Sequence, residues 1–260
     1  MAIVQIYNSI VASGIKEVRV IYESAPYGPT AFVAAHIAKR LEEKPLALDD
    51  IAWRLCGTSM SWATGLLTLR IGVGCYSQYR YTNLDHELRA AVPDSTEWFN
   101  AIVVGALLIT ADEKIVLTTR PADAHLSAGR LDMPCGHPSG LKALPSNESL
   151  LEALRIVIEK ELGCSSGKAF CAPLVQVHEE PKLSDDLIFV VRLVELDSGA
   201  LRRQVGDKKV LTFIDNEPDA IAAFLKSDTK VARPVHLSLA CYGRKKFGEK
   251  WFLQFCSDKN

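Results

Sequence analysis

Apolar and polar positions along this chain change their periodicity twice, and each change predicts a different element. From Ala31 to Leu41 (AFVAAHIAKRL) apolar residues recur at helical spacing and give way to EEK and a proline, a helix with its stop. Ile51–Leu55 and Thr64–Val73 (TGLLTLRIGV) carry the pattern of strands, broken by Gly72 and Gly74, and the run YSQYRYTNL that follows is polar and aromatic. Beyond Phe99, strand and turn signals come at close intervals. Ala101–Ile109 (AIVVGALLI) is short enough for a buried strand, TADEK is a polar turn, and Ile115–Thr119 is a second strand, so the three make a hairpin. A glycine- and proline-rich stretch, GRLDMPCGHPSGLKALPSNE, leads into the one strongly periodic helix, Glu148–Leu162. Its expected cap is Asn147, its expected core stripe is Leu151, Leu154, Ile158 and Leu162, and Gly163 ends it. Strands are expected at Ala172–Val177, Leu187–Val194 and Val210–Ile214, with a short helix at Asp219–Lys226. The succession predicts a mixed α/β unit of about 150 residues.

Composition sets the limits of what such a unit can do. With 260 residues, 48% of them hydrophobic and 23% charged, the chain can bury a full core. Thirty basic against thirty-one acidic residues leave a formal charge of −1, so nothing pulls the whole molecule toward nucleic acid or an anionic membrane. Any polyanion must be met locally. The seven cysteines are scattered, with no CxxC pair or compact Cys/His set, and read as reduced, packed thiols. No segment approaches the roughly 18 to 20 apolar residues of a membrane helix, and the first twenty residues resemble neither a secretory signal nor a presequence. The expected location is the cytoplasm. There are no repeats or low-complexity tracts, and the basic and aromatic run CYGRKKFGEKWF reads either as a surface for RNA or a partner or as a solvated tail.

The order hairpin, DMPCGHP, glutamate-rich helix and closing glycine resembles the Nudix hydrolases. The resemblance implies a Nudix-type α/β/α sandwich with a mixed sheet over residues 99–260, and an N-terminal α+β extension over 1–98 packing on it. Within the family the chain is similar to the animal UDP-glucose and UDP-galactose pyrophosphatases, through LRIGVGCYSQYRYTN (Leu69–Asn83), PCGHP and an enlarged loop before the helix. Aligned on Gly163, Glu148 matches the early glutamate of the signature and Glu161 the last. Ile156, Val157 and Lys160 stand where the signature has arginine, glutamate and glutamate, and Cys135 where it has a second glycine.

The chemistry implied is attack of water on the diphosphate of a UDP-glucose-like compound, with Mg²⁺ bridging the phosphate oxygens and acidifying the water. Catalytic roles fall to Glu161 and Glu148, and metal ligation to Glu161 and Glu180. Glu180 belongs to an acidic group, Glu179, Glu180, Asp185 and Asp186, which reads either as a hydrophilic loop or as a supplementary ligand set. Arg120 either resembles an arginine placed near substrate phosphates or is a surface arginine, and His137, after Gly136 in the loop that borders the cleft, either contacts phosphate or hydrogen-bonds to the loop backbone. Tyr79 and Asn83, in a cluster with Tyr76 and Tyr81, either contact base or sugar or pack between segments. Of Val157, Lys160 and Glu161, only one is a carboxylate, and the lysine opposes a nearby cation by several kcal/mol at intermediate dielectric. A second reading follows: a catalytically inactive Nudix fold that binds a nucleotide, or serves a protein complex, with Lys160 standing in for the metal beside Glu161. Glu152, Arg155 and Glu159 read as a solvated ion-pair face of the helix.

Overall fold

The computed structural model describes residues 10–46, 50–92, 97–122, 128–138, 144–163, 165, 167–179, 184–227 and 229–257. In chain order the strands are β1 (Ile10–Ser13), β2 (Glu17–Tyr22), β3 (Ile51–Ser61), β4 (Leu66–Cys75), β5 (Ala101–Ile109), β6 (Lys114–Thr119), β7 (Leu131–Asp132), β8 (Cys135–Gly136), β9 (Ala169–Glu179), β10 (Ser184–Leu193) and β11 (Leu211–Asp215). The helices are α1 (Ala31–Glu43), α2 (Tyr76–Asn83), α3 (His86–Ala91), α4 (Asn147–Leu162), α5 (Ser198–Val205), α6 (Pro218–Lys226), α7 (Arg233–Phe247) and α8 (Glu249–Ser257).

Everything is arranged about β5. All nine of its residues are buried, and its side chains alternate between two cores. Ile102, Val104, Ala106 and Leu108 pack with α4 and α5, whereas Leu107 and Ile109 pack with α6, α7 and α8. A strand that is apolar on both faces needs a helical layer on each side. The result is the α/β sandwich with a mixed sheet that the sequence leads one to expect. Along one edge β5 pairs in parallel with β10, which pairs antiparallel with β9. The other edge is shared. β3 meets β5 at Ala101, the two-residue β8 meets it at Val104 and Gly105, and β6 at Leu108 and Ile109 before diverging to β7 and β11. Gly105 permits this, because a Cβ there would lie 2.8 Å from Ile188 Cδ1 and 3.2 Å from Cys135 Cβ. β1 joins the sheet on β9 and β3 joins it on β5, so segment 1–98 and the remainder contribute to one sheet.

Three features differ from the sequence expectation. The stripe of α4 consists of Leu150, Ala153, Leu154, Val157, Ile158 and Leu162, with Leu151 exposed. This set fills i, i+3, i+4, i+7, i+8, a broader apolar band than the one through Leu151, and the wider band wins the core. The cap is Ser146 rather than Asn147: Ser149 N donates to Ser146 Oγ at 3.1 Å and Ser146 N to Ser149 Oγ at 2.7 Å. Asn147 Oδ1 instead accepts from Val20 N at 2.6 Å, tying the helix start to β2. Finally, CYGRKKFGEKWF is no solvated tail. It closes α7 and opens α8, with Tyr242 and Phe252 in the core and Trp251 lying against Gly243. Among the described residues no helix is long and apolar enough to cross a membrane.

The register of α4 is open to test in urea. Leu150→Ala should cost about 2–5 kcal/mol as a core truncation, and Leu151→Ala less than about 0.5 kcal/mol as a surface change. Equal losses would contradict the packing described.

Candidate functional site

Because β6 and β3 leave the middle of β5's edge to β8, the segment Cys135–Gly136–His137 is carried up against the C-terminal half of α4. Between them lies a cleft of about 290 Å³, walled by Ile156, Val157, Lys160 and Glu161 on one side and Gly136, His137, Tyr76 and Asp50 on the other. A Cβ at Gly136 would sit 3.5 and 3.7 Å from the Val157 methyls, ordinary contact distances that show how near β8 runs to α4. The His137 ring rests on two tyrosines of α2, with centroids 4.7 Å from Tyr79 and 5.4 Å from Tyr76. Tyr79 is buried and acts as a platform for His137, while Tyr76 reaches the cleft. Asn83, one turn along α2, is fully buried and accepts from Thr82 Oγ1 at 2.6 Å. It does not line the cleft.

The charges have a definite order. Glu161 Oε2 accepts from Lys209 Nζ at 2.6 Å, both side chains being partly buried. Lys160, the cation expected there from sequence, is exposed and lines the cleft instead. Arg120 Nη1 donates to Asp132 Oδ2 at 2.7 Å, and Asp132 Oδ1 accepts from Met133 N at 2.9 Å. Burial alone would lower the Arg120 guanidinium, but the hydrogen bond and charge of the buried Asp132 outweigh it and hold its pKa above the usual value. Burial, followed by the charges of Asp132 and Asp186, pushes the Cys135 thiol well up.

Other sequence-derived candidates lie elsewhere. Glu148 is exposed at the opposite end of α4, about 20 Å from Glu161 at 1.5 Å per residue. It borders a different groove, so the two glutamates cannot act together. Asp185 and Asp186 are buried strand residues, not loop positions. Asp185 anchors a network, accepting from Gln176 Nε2 at 3.0 Å and lying 3.4 Å from His178 Nδ1, with Thr58 Oγ1 donating to Gln176 Oε1 at 3.1 Å. Glu180 lies outside the described residues. Glu152, Arg155 and Glu159 form the ion-pair face expected of them. Lys209 and Asp132 were not singled out from sequence. The DMPCGHP run offered one clue, an acid within an otherwise uncharged stretch, whereas Lys209 reaches Glu161 across 48 positions and left no local signal.

These donors do not fit a divalent cation. Mg²⁺ requires several convergent oxygen ligands, yet among the described residues no three His, Cys, Asp or Glu side chains converge on one point. The Glu161 carboxylate, moreover, is engaged by an ammonium.

Neither a protein-family model nor a curated protein sequence matches the chain. Among solved structures, DR0079 from Deinococcus radiodurans aligns over 54% of this chain and 82% of its own, with a TM-score of 0.38 and 15% identity. A MutT protein from Methanosarcina mazei Go1 aligns over 61% and 95%, with a TM-score of 0.33 and 19% identity. The Bacillus subtilis pyrophosphohydrolase BsRppH aligns over 56% and 79%, with a TM-score of 0.34 and 16% identity. Overlaps this slight assign no chemistry, which rests on the residues of the cleft.

Two measurements probe the electrostatics. A thiol whose pKa is raised has less thiolate at a given pH, so iodoacetamide at pH 8 should label exposed Cys75 well before Cys135, as read by peptide mass spectrometry. Arg120→Ala strands a buried carboxylate that keeps one backbone donor, and should lower stability by about 2 kcal/mol. Recovery of stability on adding Asp132→Asn to the variant would identify the cause.

Proposed function

We propose that the cleft binds the diphosphate of a nucleotide or nucleoside diphosphate sugar, with UDP-glucose as its representative, through side-chain cations on a Nudix-type scaffold. The observation that carries this reading is the Glu161–Lys209 pair. It neutralises the one carboxylate that α4 presents to the cleft and leaves Lys160 beside it to meet an incoming phosphate. An ammonium donating to a phosphate oxygen forms a charge-assisted hydrogen bond, stronger than a neutral one. His137, held on its tyrosines, faces Lys160 across the cleft, and the Gly136 backbone allows close approach. Asp50 on the lip is placed to accept from sugar hydroxyls. Tyr79 and Asn83 then act indirectly, by holding α2 and His137 in position.

Hydrolysis assisted by Mg²⁺ is the second reading, favoured by the position of Glu161 in the cleft wall. It requires the metal to displace Lys209 and to find further oxygen ligands, Glu180 among the candidates.

Calorimetric titration with UDP-glucose separates the two. Binding by cations should be unchanged within about twofold between EDTA and excess Mg²⁺, should weaken steeply with salt, and should fall about tenfold in Lys160→Ala, the equivalent of one charged hydrogen bond. Affinity that appears only with Mg²⁺, accompanied by release of UMP, would establish the hydrolase instead.

A further inference from the structure

A second, more apolar recess lies apart from the cleft beside α4 and is larger than it. It lies on the opposite face of the sheet, where the turn after β1 meets β9, α7 and α8, and encloses about 500 Å³. Its floor is formed by Ile15, Leu174, Ala240 and Phe252, all buried. Its mouth carries Lys16, Arg244 and Lys245, with Glu249 as the one acid among its lining residues.

These groups are held in place. Lys16 N donates to Gly65 O at 2.8 Å, and the lysine stem lies so close to Gly65 that a Cβ there would be 2.8 Å from its Cγ. The Arg244 guanidinium sits 5.4 Å above the Phe252 ring and donates through Nε to Glu249. Lys245 Nζ reaches the Pro173 carbonyl at 3.5 Å.

We propose that this recess is a second binding site, independent of the reading given to the cleft, and that its ligand is a single-chain fatty carboxylate taken from solution. The volume lies within the range of small-molecule sites, and an apolar floor with few polar groups at the rim is their usual build. Three cations against one carboxylate leave the mouth positive, which selects an anionic head. The Arg244–Glu249 contact shows a carboxylate already seated on that guanidinium. Both partners are about half exposed, and pairs so exposed contribute little to stability and exchange readily. A ligand carboxylate can therefore take the place of Glu249 while its tail enters end-on between α7 and β9, over Ala240 and Leu174.

The test is calorimetric titration of the full chain with dodecanoate below its micellar concentration, alongside butyrate and dodecyltrimethylammonium. Dodecanoate should bind at least tenfold more tightly than either comparison ligand, since one lacks the tail and the other the negative head. The double variant Lys16→Glu, Lys245→Glu changes only exposed mouth residues. It should lose at least tenfold in dodecanoate affinity and reverse the preference between head groups, while UDP-glucose titrations stay as in the native protein. Ala240→Leu should weaken dodecanoate by filling the floor, and where that variant fails to fold the charge-reversed one decides. Equal affinity for both head groups, an unaffected double variant, or loss of dodecanoate binding in Lys160→Ala would each overturn the proposal. So would binding to phosphatidylserine vesicles without binding to monomeric dodecanoate.

Discussion

A strand that is apolar on both faces and short of hydrogen-bonding partners along one edge is the constraint from which the rest of this protein follows. β5 must be covered above and below, which recruits α4 and α5 to one face and α6, α7 and α8 to the other. Its backbone groups must also be satisfied along their whole length, because a buried unpaired amide or carbonyl is costly. One edge is met by β10 alone. The other is met in three pieces, and the shortest, Cys135–Gly136, has room only because β3 and β6 diverge to either side of it. The cleft is therefore a product of how that edge is divided, and α4 forms its second wall because its apolar band has to lie on the same strand.

Beside the cleft the balance of charge is set by two ion pairs, Arg120–Asp132 and Lys209–Glu161. Asp132 is buried, and its carboxylate accepts from Arg120 and from the Met133 amide, the kind of partners a buried charge requires. Glu161 is half-buried beside Lys209. With Glu161 and Asp132 both engaged by cationic partners, Lys160 and Asp50 are the further charged residues that line the cleft. Val157 belongs to the core band of α4 and also fills the space under Gly136, so the position that would carry a carboxylate is committed to packing.

The two recesses differ as their surroundings dictate. The one beside α4 is smaller and mixes polar with apolar lining, drawn largely from β8, α2 and α4. The one under α7 and α8 is larger and floored by the second core, with charge confined to its rim. The two share no lining residue.

Much of the scaffold was legible in the sequence because its signals are local. The run AIVVGALLI, the polar turn after it, the periodicity of the long helix and the left-handed Gly163 at its end follow from neighbouring residues alone. The expectation that Gly136, His137, Lys160 and Glu161 border one cleft came from the family resemblance instead, and all four line the cleft beside α4. What the tertiary structure decided were choices between near-equal local options and contacts between distant segments. Leu150 and Leu151 can each begin an apolar band, and only the sheet beneath α4 determines which is buried. Ser146 and Asn147 can both cap a helix, and the demand of Val20 N for an acceptor assigns them different tasks. Asp185 and Asp186 look like loop acids until strand pairing carries them into the interior. Lys209 became the partner of Glu161 because the turn before β11 folds against the end of α4, a neighbourhood that no periodicity encodes.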